Sequence, residues 1–287
     1  QGCAAGPRDP SGRQPREALD AMGRIGERFR MLRSRGERAL MPFVTAGDPD
    51  LETTEAIILA LAASGADLIE LGVPFSDPVA EGPTIQRSSE RALRSKTSLR
   101  RVLGLVKDLR PKLELPLLLM GYANPFYAMG EENFASAAAQ VGVDGIIVVD
   151  LPPEEGAPLF GALEKRGIDA VLLAAPTTTA TRRQMLAQKT RGFLYYVSLT
   201  GVTGAREALA QGIREGVEAV RAISPIPVCV GFGVSTPEQA REIAAYADGV
   251  VVGSALVNRI ASAASPEDAV DAAAKFVAEL KAGTRSR

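Results

Sequence analysis

Pro227-Val-Cys-Val-Gly231-Phe-Gly-Val-Ser235 and Gly249-Val-Val-Val-Gly253-Ser254 share one form, a short apolar run that ends in glycine. Glycine at such a point lets the backbone approach an anion with no Cβ in the way. If the two runs are successive strands of a parallel barrel, both turns lie on its C-terminal face. There a short extra helix can aim backbone N–H groups at a phosphate. No Lys or Arg joins either cluster, so dipoles and N–H groups would do the gripping. Each turn alone also reads as a plain tight turn; two on successive strand ends favour phosphate.

Working outward, the same rhythm fills the chain. Apolar runs stand at Ala39–Val44, Asp67–Leu71, Leu115–Gly121, Gly145–Val149, Ala170–Ala174 and Gly192–Val197, ahead of Pro227–Val230 and Gly249–Val252. Helix-like stretches follow them: Leu51–Ser64, Thr84–Leu109 as one helix or two, Glu131–Val141, Pro153–Arg166, Thr179–Gln188, Arg206–Ile223, Thr236–Tyr246 and Pro266–Lys281. Strands buried on both faces and separated by helices call for a parallel sheet. Eight such units close most naturally into a (β/α)8 TIM-type barrel with its phosphate site after strands seven and eight. An open doubly wound sheet is the rival. Gly65, Gly142, Gly167 and Gly192 precede strands, where helices end in left-handed caps, and Thr236-Pro237 reads as an N-cap with proline at N1.

Residues 22–287 are therefore expected to form one domain, and 1–21 a disordered extension rich in Gly, Pro, Arg and Ala. That extension has no continuous apolar stretch of the secretory type. Met22, followed by Ile25, Phe29 and Leu32 at helical spacing, reads as a more natural start.

Composition narrows the chemistry. The net charge of −1 offers no basic footprint for nucleic acid and no polybasic patch for a membrane. No apolar run approaches the roughly 20 residues of a membrane span. The two cysteines, Cys3 and Cys229, do not make a disulfide framework, which fits a reducing, cytoplasmic setting. There is no histidine, so proton transfer must fall to carboxylates, Tyr or Lys.

The richest segment is Asp67-Leu-Ile-Glu70-Leu-Gly-Val-Pro-Phe-Ser-Asp77-Pro-Val-Ala-Glu81-Gly-Pro-Thr-Ile-Gln86. Strand alternation puts Leu68, Glu70 and Gly72 on one face, and helices must cover the other, so Glu70 points into the barrel mouth. A carboxylate there is desolvated, its pKa rises, and it becomes a candidate general acid or base. A strand-end Glu in a structural hydrogen-bond network is the plainer alternative. Glu81 sits in a Pro/Gly-rich loop long enough to fold over the mouth, as a second carboxylate or as a solvated charge. After the sixth run, Ser198-Leu-Thr-Gly201-Val-Thr203-Gly204 reads as a lid, with an ordinary connection as its rival.

Taken in order, Met41-Pro-Phe-Val-Thr-Ala-Gly-Asp-Pro-Asp50, Glu70-Leu-Gly-Val-Pro-Phe-Ser-Asp-Pro78, Gly201-Val-Thr-Gly204, Gly231-Phe-Gly-Val-Ser235 and Gly253-Ser254 resemble the signature stretches of the tryptophan synthase α subunit family. Tyr122-Ala-Asn124 and Val149-Asp-Leu-Pro152 fit it too, and the resemblance runs from about Met22 to Leu280. It implies a lyase that splits indole-3-glycerol phosphate, in a retro-aldol step, into indole and glyceraldehyde 3-phosphate. It implies that Glu70 transfers the proton, that Glu81 hydrogen-bonds the indole N–H, and that Tyr195 stands near the reacting hydroxyl. Gly204, Gly233, Gly253 and Ser254 match the phosphate-binding backbone. Phe43, Tyr122, Ile147, Val149, Leu173 and Phe232 match positions lining the indole slot, each of which could equally be barrel core. Asp77, Pro78 and Thr203 match regions that couple the chain to a partner. That partner is a pyridoxal-phosphate β subunit in an α2β2 assembly, and the α chain itself is expected to carry no cofactor and no metal.

One position departs from the family, which most often has Asp where this chain has Glu81. The added methylene moves the carboxylate by about 1.5 Å and keeps its charge and acceptor role. A stand-alone indole-3-glycerol-phosphate lyase and a weakly catalytic activator of a β partner are the competing readings. The absence of histidine and of metal-ligand clusters argues against a metal-dependent sugar-phosphate epimerase.

Overall fold

The computed structural model describes residues 23–197, 206–231 and 233–285, with 206–211 described by backbone alone. The expected N-terminal extension, and the candidate residues Thr203, Gly204 and Phe232, lie outside the described residues.

Eight strands close into a barrel: β1 Ala39–Thr45, β2 Ile69–Gly72, β3 Leu117–Gly121, β4 Gly145–Val148, β5 Asp169–Ala174, β6 Leu194–Val197, β7 Val228–Gly231 and β8 Gly249–Val252. Each pairs in parallel with the next, and β8 returns to β1 through Ala39↔Gly249 and Pro42↔Val252. Closure rules out the open doubly wound sheet. Helices fill the intervals: α1 Gly23–Ser34, α2 Leu51–Ala63, α3 Pro83–Arg94, α4 Leu99–Leu109, α5 Ala123–Met129, α6 Glu131–Val141, α7 Ala157–Glu164, α8 Ala180–Lys189, α9 Arg206–Arg221, α10 Pro237–Ala244, α11 Ser254–Ala261 and α12 Pro266–Thr284. No helix among the described residues is long and apolar enough to cross a membrane.

Local chemistry sets these boundaries. The stretch Thr84–Leu109 is two helices, broken where Lys96 takes φ 56° and Ser98 begins a new first turn. The helix expected from Pro153 starts only at Ala157, after a separate turn in which the N–H groups of Glu155 and Gly156 both donate to Pro152 O at 3.0 Å. Thr236 and Gln239 form a capping box at the head of α10, with Pro237 in its first turn.

The outward faces of the strands pack on the helices through residues such as Leu40, Ile69, Leu119, Ile146 and Val250. The inward faces form a separate apolar stack, including Met41, Leu118, Ile147, Val171, Tyr195 and Val251. Helix α1 closes the N-terminal end of that stack: Ile25, Phe29 and Leu32 join it, with the Phe29 and Phe193 rings 6.0 Å apart.

A repeated device stitches the same end. Asp67, Asp144 and Asp248, each just ahead of a strand, accept a backbone N–H from the neighbouring strand, namely Leu40 (2.8 Å), Leu117 (2.9 Å) and Val228 (3.0 Å). Each also meets a cation: Lys281 of α12 at 2.8 Å, Arg24 of α1 at 2.7 Å and Arg221 of α9 at 3.0 Å. Asp169, in register with Gly145 rather than with Asp144, opens β5 and makes no such pairing among the described residues. Burial pushes its carboxyl up to about 7, with Arg191 opposing and Asp144 adding to the rise.

Candidate active site

Strand alternation carries Glu70 into the barrel, as its pattern requires. The residue is fully buried, and neither carboxylate oxygen has a hydrogen-bond partner among the described residues. A buried ion in that condition is costly, so the group holds its proton instead. Desolvation, and then the nearby charge of Glu81, push Glu70 up to about 8. The plainer alternative, a structural hydrogen-bond network around Glu70, is absent among the described residues.

Glu81 stands in the loop between β2 and α3. Its backbone N–H donates to Pro78 O at 3.0 Å, and Gln86 Nε2 donates to its carbonyl at 3.0 Å. Burial pushes its carboxyl up to about 7. The loop is also held from across the mouth, where Ala80 N–H donates to the Tyr122 hydroxyl at 2.9 Å and the Tyr122 ring stacks on Phe75 at 5.0 Å. Tyr195 is buried and close enough to both glutamates for their charges to add to the rise that burial imposes on its phenol. It keeps its proton at neutral pH and is a donor. Its hydroxyl occupies the space above Gly231, where a Cβ would lie 2.6 Å from it.

Phe43, Pro78, Glu81 and Tyr122 come together around one cavity at the mouth. Thr45, Val73, Ile85, Ser89 and Met120 line it as well, and sequence reasoning missed them. Thr45 follows Phe43 by one strand repeat, a signal that could have found it. Gly72 leaves room for the Phe43 ring, since a Cβ there would meet Cζ at 2.6 Å. Other candidates fall elsewhere. Ile147 is fully buried in the inner stack, while Val149 and Leu173 border a second cavity with Pro152 and Arg182. Asp77 is exposed and accepts a hydrogen bond from Ser76.

Gly233 stands two residues past the end of β7 and Gly253 one residue past the end of β8, beyond the register pair Gly231↔Val251. Gly233 has φ +45°, a conformation that glycine tolerates. The two helix N-termini there differ. That of α10 is filled by its own capping box and by Gln239 Oε1, which also accepts Ser235 N–H at 2.8 Å. That of α11 has no side-chain cap among the described residues, and Ser254 in its first turn is exposed; uncapped first-turn N–H groups are the kind that can hold an anion.

The family model described as "Tryptophan synthase alpha chain" matches residues 29–285. The chain belongs to the tryptophan synthase alpha chain family. A tryptophan synthase alpha chain from Geobacter sp. (strain M21) is 55% identical over 262 residues, 91% of this chain and 98% of that protein. Among solved structures, tryptophan synthase subunit alpha from Legionella pneumophila str. Paris is 40% identical with a TM-score of 0.85, covering 92% of this chain and 98% of that one. A structure of tryptophan synthase from M. tuberculosis in an aminoacrylate- and BRD0059-bound form contains a chain that is 36% identical with a TM-score of 0.84, covering 93% of this chain and all of that one. At these coverages the alpha chain fold spans the whole barrel, from α1 to α12.

Proposed function

We propose that this tryptophan synthase alpha chain cleaves indole-3-glycerol phosphate to indole and glyceraldehyde 3-phosphate, with Glu70 as its acid and base. The observation that carries this is the buried Glu70 carboxyl, unpaired and held protonated near neutrality beside a second carboxyl. Ring C3 needs a proton before its bond to the side chain can break, and Glu70 has one to give. The ring then becomes electron-poor, and Glu81 accepts the indole N–H. As the carbon–carbon bond breaks, the neighbouring hydroxyl loses its proton and becomes the aldehyde. Glu70, now a carboxylate, takes that proton and is restored. Two carboxyls in unlike surroundings divide these roles. Tyr195 donates to the reacting hydroxyl.

The open N-terminus of α11, with Ser254, Gly253 and Gly233, suits the phosphate. Phe43, Tyr122 and Met120 suit one side of a flat ring, and Ile147, Val149, Leu173 and Phe232 belong to the proposed slot by resemblance. Gly204 and Thr203 belong to the proposed phosphate loop and lid on the same ground. Asp77 and Pro78 stand on the loop proposed to couple to a β subunit. That subunit would carry pyridoxal phosphate, take the indole for tryptophan synthesis, and assemble with this chain as α2β2 in the cytoplasm. No cofactor is assigned to this chain.

The test is indole release from indole-3-glycerol phosphate by the purified chain, alone and with a tryptophan synthase β subunit, with Glu70→Gln as control. Slow cleavage that rises with the partner and vanishes in Glu70→Gln supports the reading. Fast, partner-independent cleavage would make the chain a stand-alone lyase. No cleavage, together with activation of the β subunit, would make it an activator.

A further inference from the structure

Helix α3 leads directly out of the Glu81 loop, and one of its faces is bolted to β1 and the turn after it. Thr45 Oγ1 and Ser88 Oγ are 2.7 Å apart and buried, and Ser88 passes its own hydrogen to Ile85 O. Arg91 Nε and Nη2 make a two-bond fork on the two oxygens of Asp48, at 2.7 and 2.8 Å. Ser95 Oγ donates to Pro49 O at 2.7 Å. Ser88, Arg91 and Ser95 are spaced by three and four residues, so they share one side of the helix. Of the three, the fork alone resists both sliding and rolling, because a planar guanidinium on a carboxylate has one seating. The Asp48 side chain is 5% exposed, so the anchor on the barrel side is buried. At the other end of α3, Gln86 grips the carbonyl of Glu81 and Ile85 packs with Phe43 and Val257.

We propose that Arg91, through its fork on Asp48, is a positioning residue for Glu81: it sets the register of α3 on the barrel and so holds the Glu81 carboxyl beside Glu70. This rests on the reaction proposed above.

The experiment compares wild type, Arg91→Lys and Asp48→Asn, each full-length and with a β subunit. It reads kcat and KM for indole-3-glycerol phosphate, the pH dependence of kcat, and the thermal midpoint. Both variants keep side-chain size near native and lose the fork. Expected is a fall in kcat of about 10–100-fold, the scale of a small misplacement at a reacting centre, with KM little changed because the phosphate is held by α11. The diagnostic is the limb of the profile that belongs to Glu70. Glu70 has Glu81, Tyr195 and Cys229 as its titratable neighbours, and the charge of Glu81 raises it. If Glu81 swings away, that limb moves to lower pH, as it does in Glu81→Gln. An unchanged kcat, or a loss of activity that tracks loss of folded protein with the limb unmoved, overturns the proposal. Wild-type protein that releases no indole defeats the reaction itself, and the inference falls with it.

Discussion

The hydroxyl of Tyr122, at the end of β3, accepts the backbone N–H of Ala80, one residue from Glu81, at 2.9 Å. A strand-end aromatic thus fastens a loop that belongs to a different strand. Tyr122→Phe keeps the stacking on Phe75 and removes only the acceptor. Loss of one such bond is worth about 1 kcal/mol, so kcat/KM for indole release is expected to fall about 3–10-fold. The thermal midpoint should stay close to wild type. A variant with full activity would leave the bond without a part in holding Glu81.

The role proposed for Glu81 needs a charge and an acceptor, not a particular length. Glu81→Asp is expected to retain activity within about tenfold, and Glu81→Gln to lose about 100-fold or more. Steady-state indole release in the presence of a β subunit measures both. Equal rates for wild type and Glu81→Gln would remove the carboxylate from the mechanism.

In the proposed reaction Glu70 gives its proton first, so its protonated form would be the active one. With the Glu81 carboxyl raised to about 7 and that of Glu70 to about 8, kcat is expected to rise as Glu81 gains the charge its role needs, and then to decline as pH passes through about 8. Glu70→Gln should lower kcat by about 100–10,000-fold and leave the residual rate without that limb. A rate that rises through the same interval would assign the proton to another group.

Asp169 offers a test of stability far from the chemistry. Its carboxyl is raised to about 7 by burial, above its value in the unfolded chain. The folded form therefore holds a proton that the unfolded form has released. That contribution is complete below the ordinary carboxylate range and is lost as pH rises through about 7. Asp169→Asn should unfold at a higher temperature than wild type at pH 8, by about 2–4 °C for each kcal/mol relieved. The gap should close near pH 4. Thermal melts at the two pH values decide it, and a gap independent of pH would show that the carboxyl carries no such penalty.

The barrel was legible in the sequence because its strands are buried on both faces, so each reads as an unbroken apolar run that ends at a turn. Glu70 stood out for the related reason that a charge interrupts such a run. The break between α3 and α4 was less legible, since the helical period carries on through Ser95–Ser98 and only Lys96, with its positive φ, interrupts it. Helix α5 was missed: seven residues with Pro125 inside are too few to show a period. The lining contributed by Met120, Ile85 and Ser89 depends on how strands and α3 are turned in space, which no local pattern encodes. The Arg91–Asp48 fork joins residues 43 apart, and nothing in either neighbourhood announces the other. The lid read at Ser198–Gly204 lies outside the described residues.

With Ile25, Phe29 and Leu32 packed across its foot, the barrel is a cul-de-sac. On the proposed reading, substrate would arrive and both products depart by the doorway at the opposite end, and they would do so in turn. On the reading proposed above, the triose phosphate would sit at the rim by α11 and the indole over Phe43. A neighbour seated on that doorway would regulate arrivals and departures with one motion, and whichever molecule forms the far wall becomes the indole's next address.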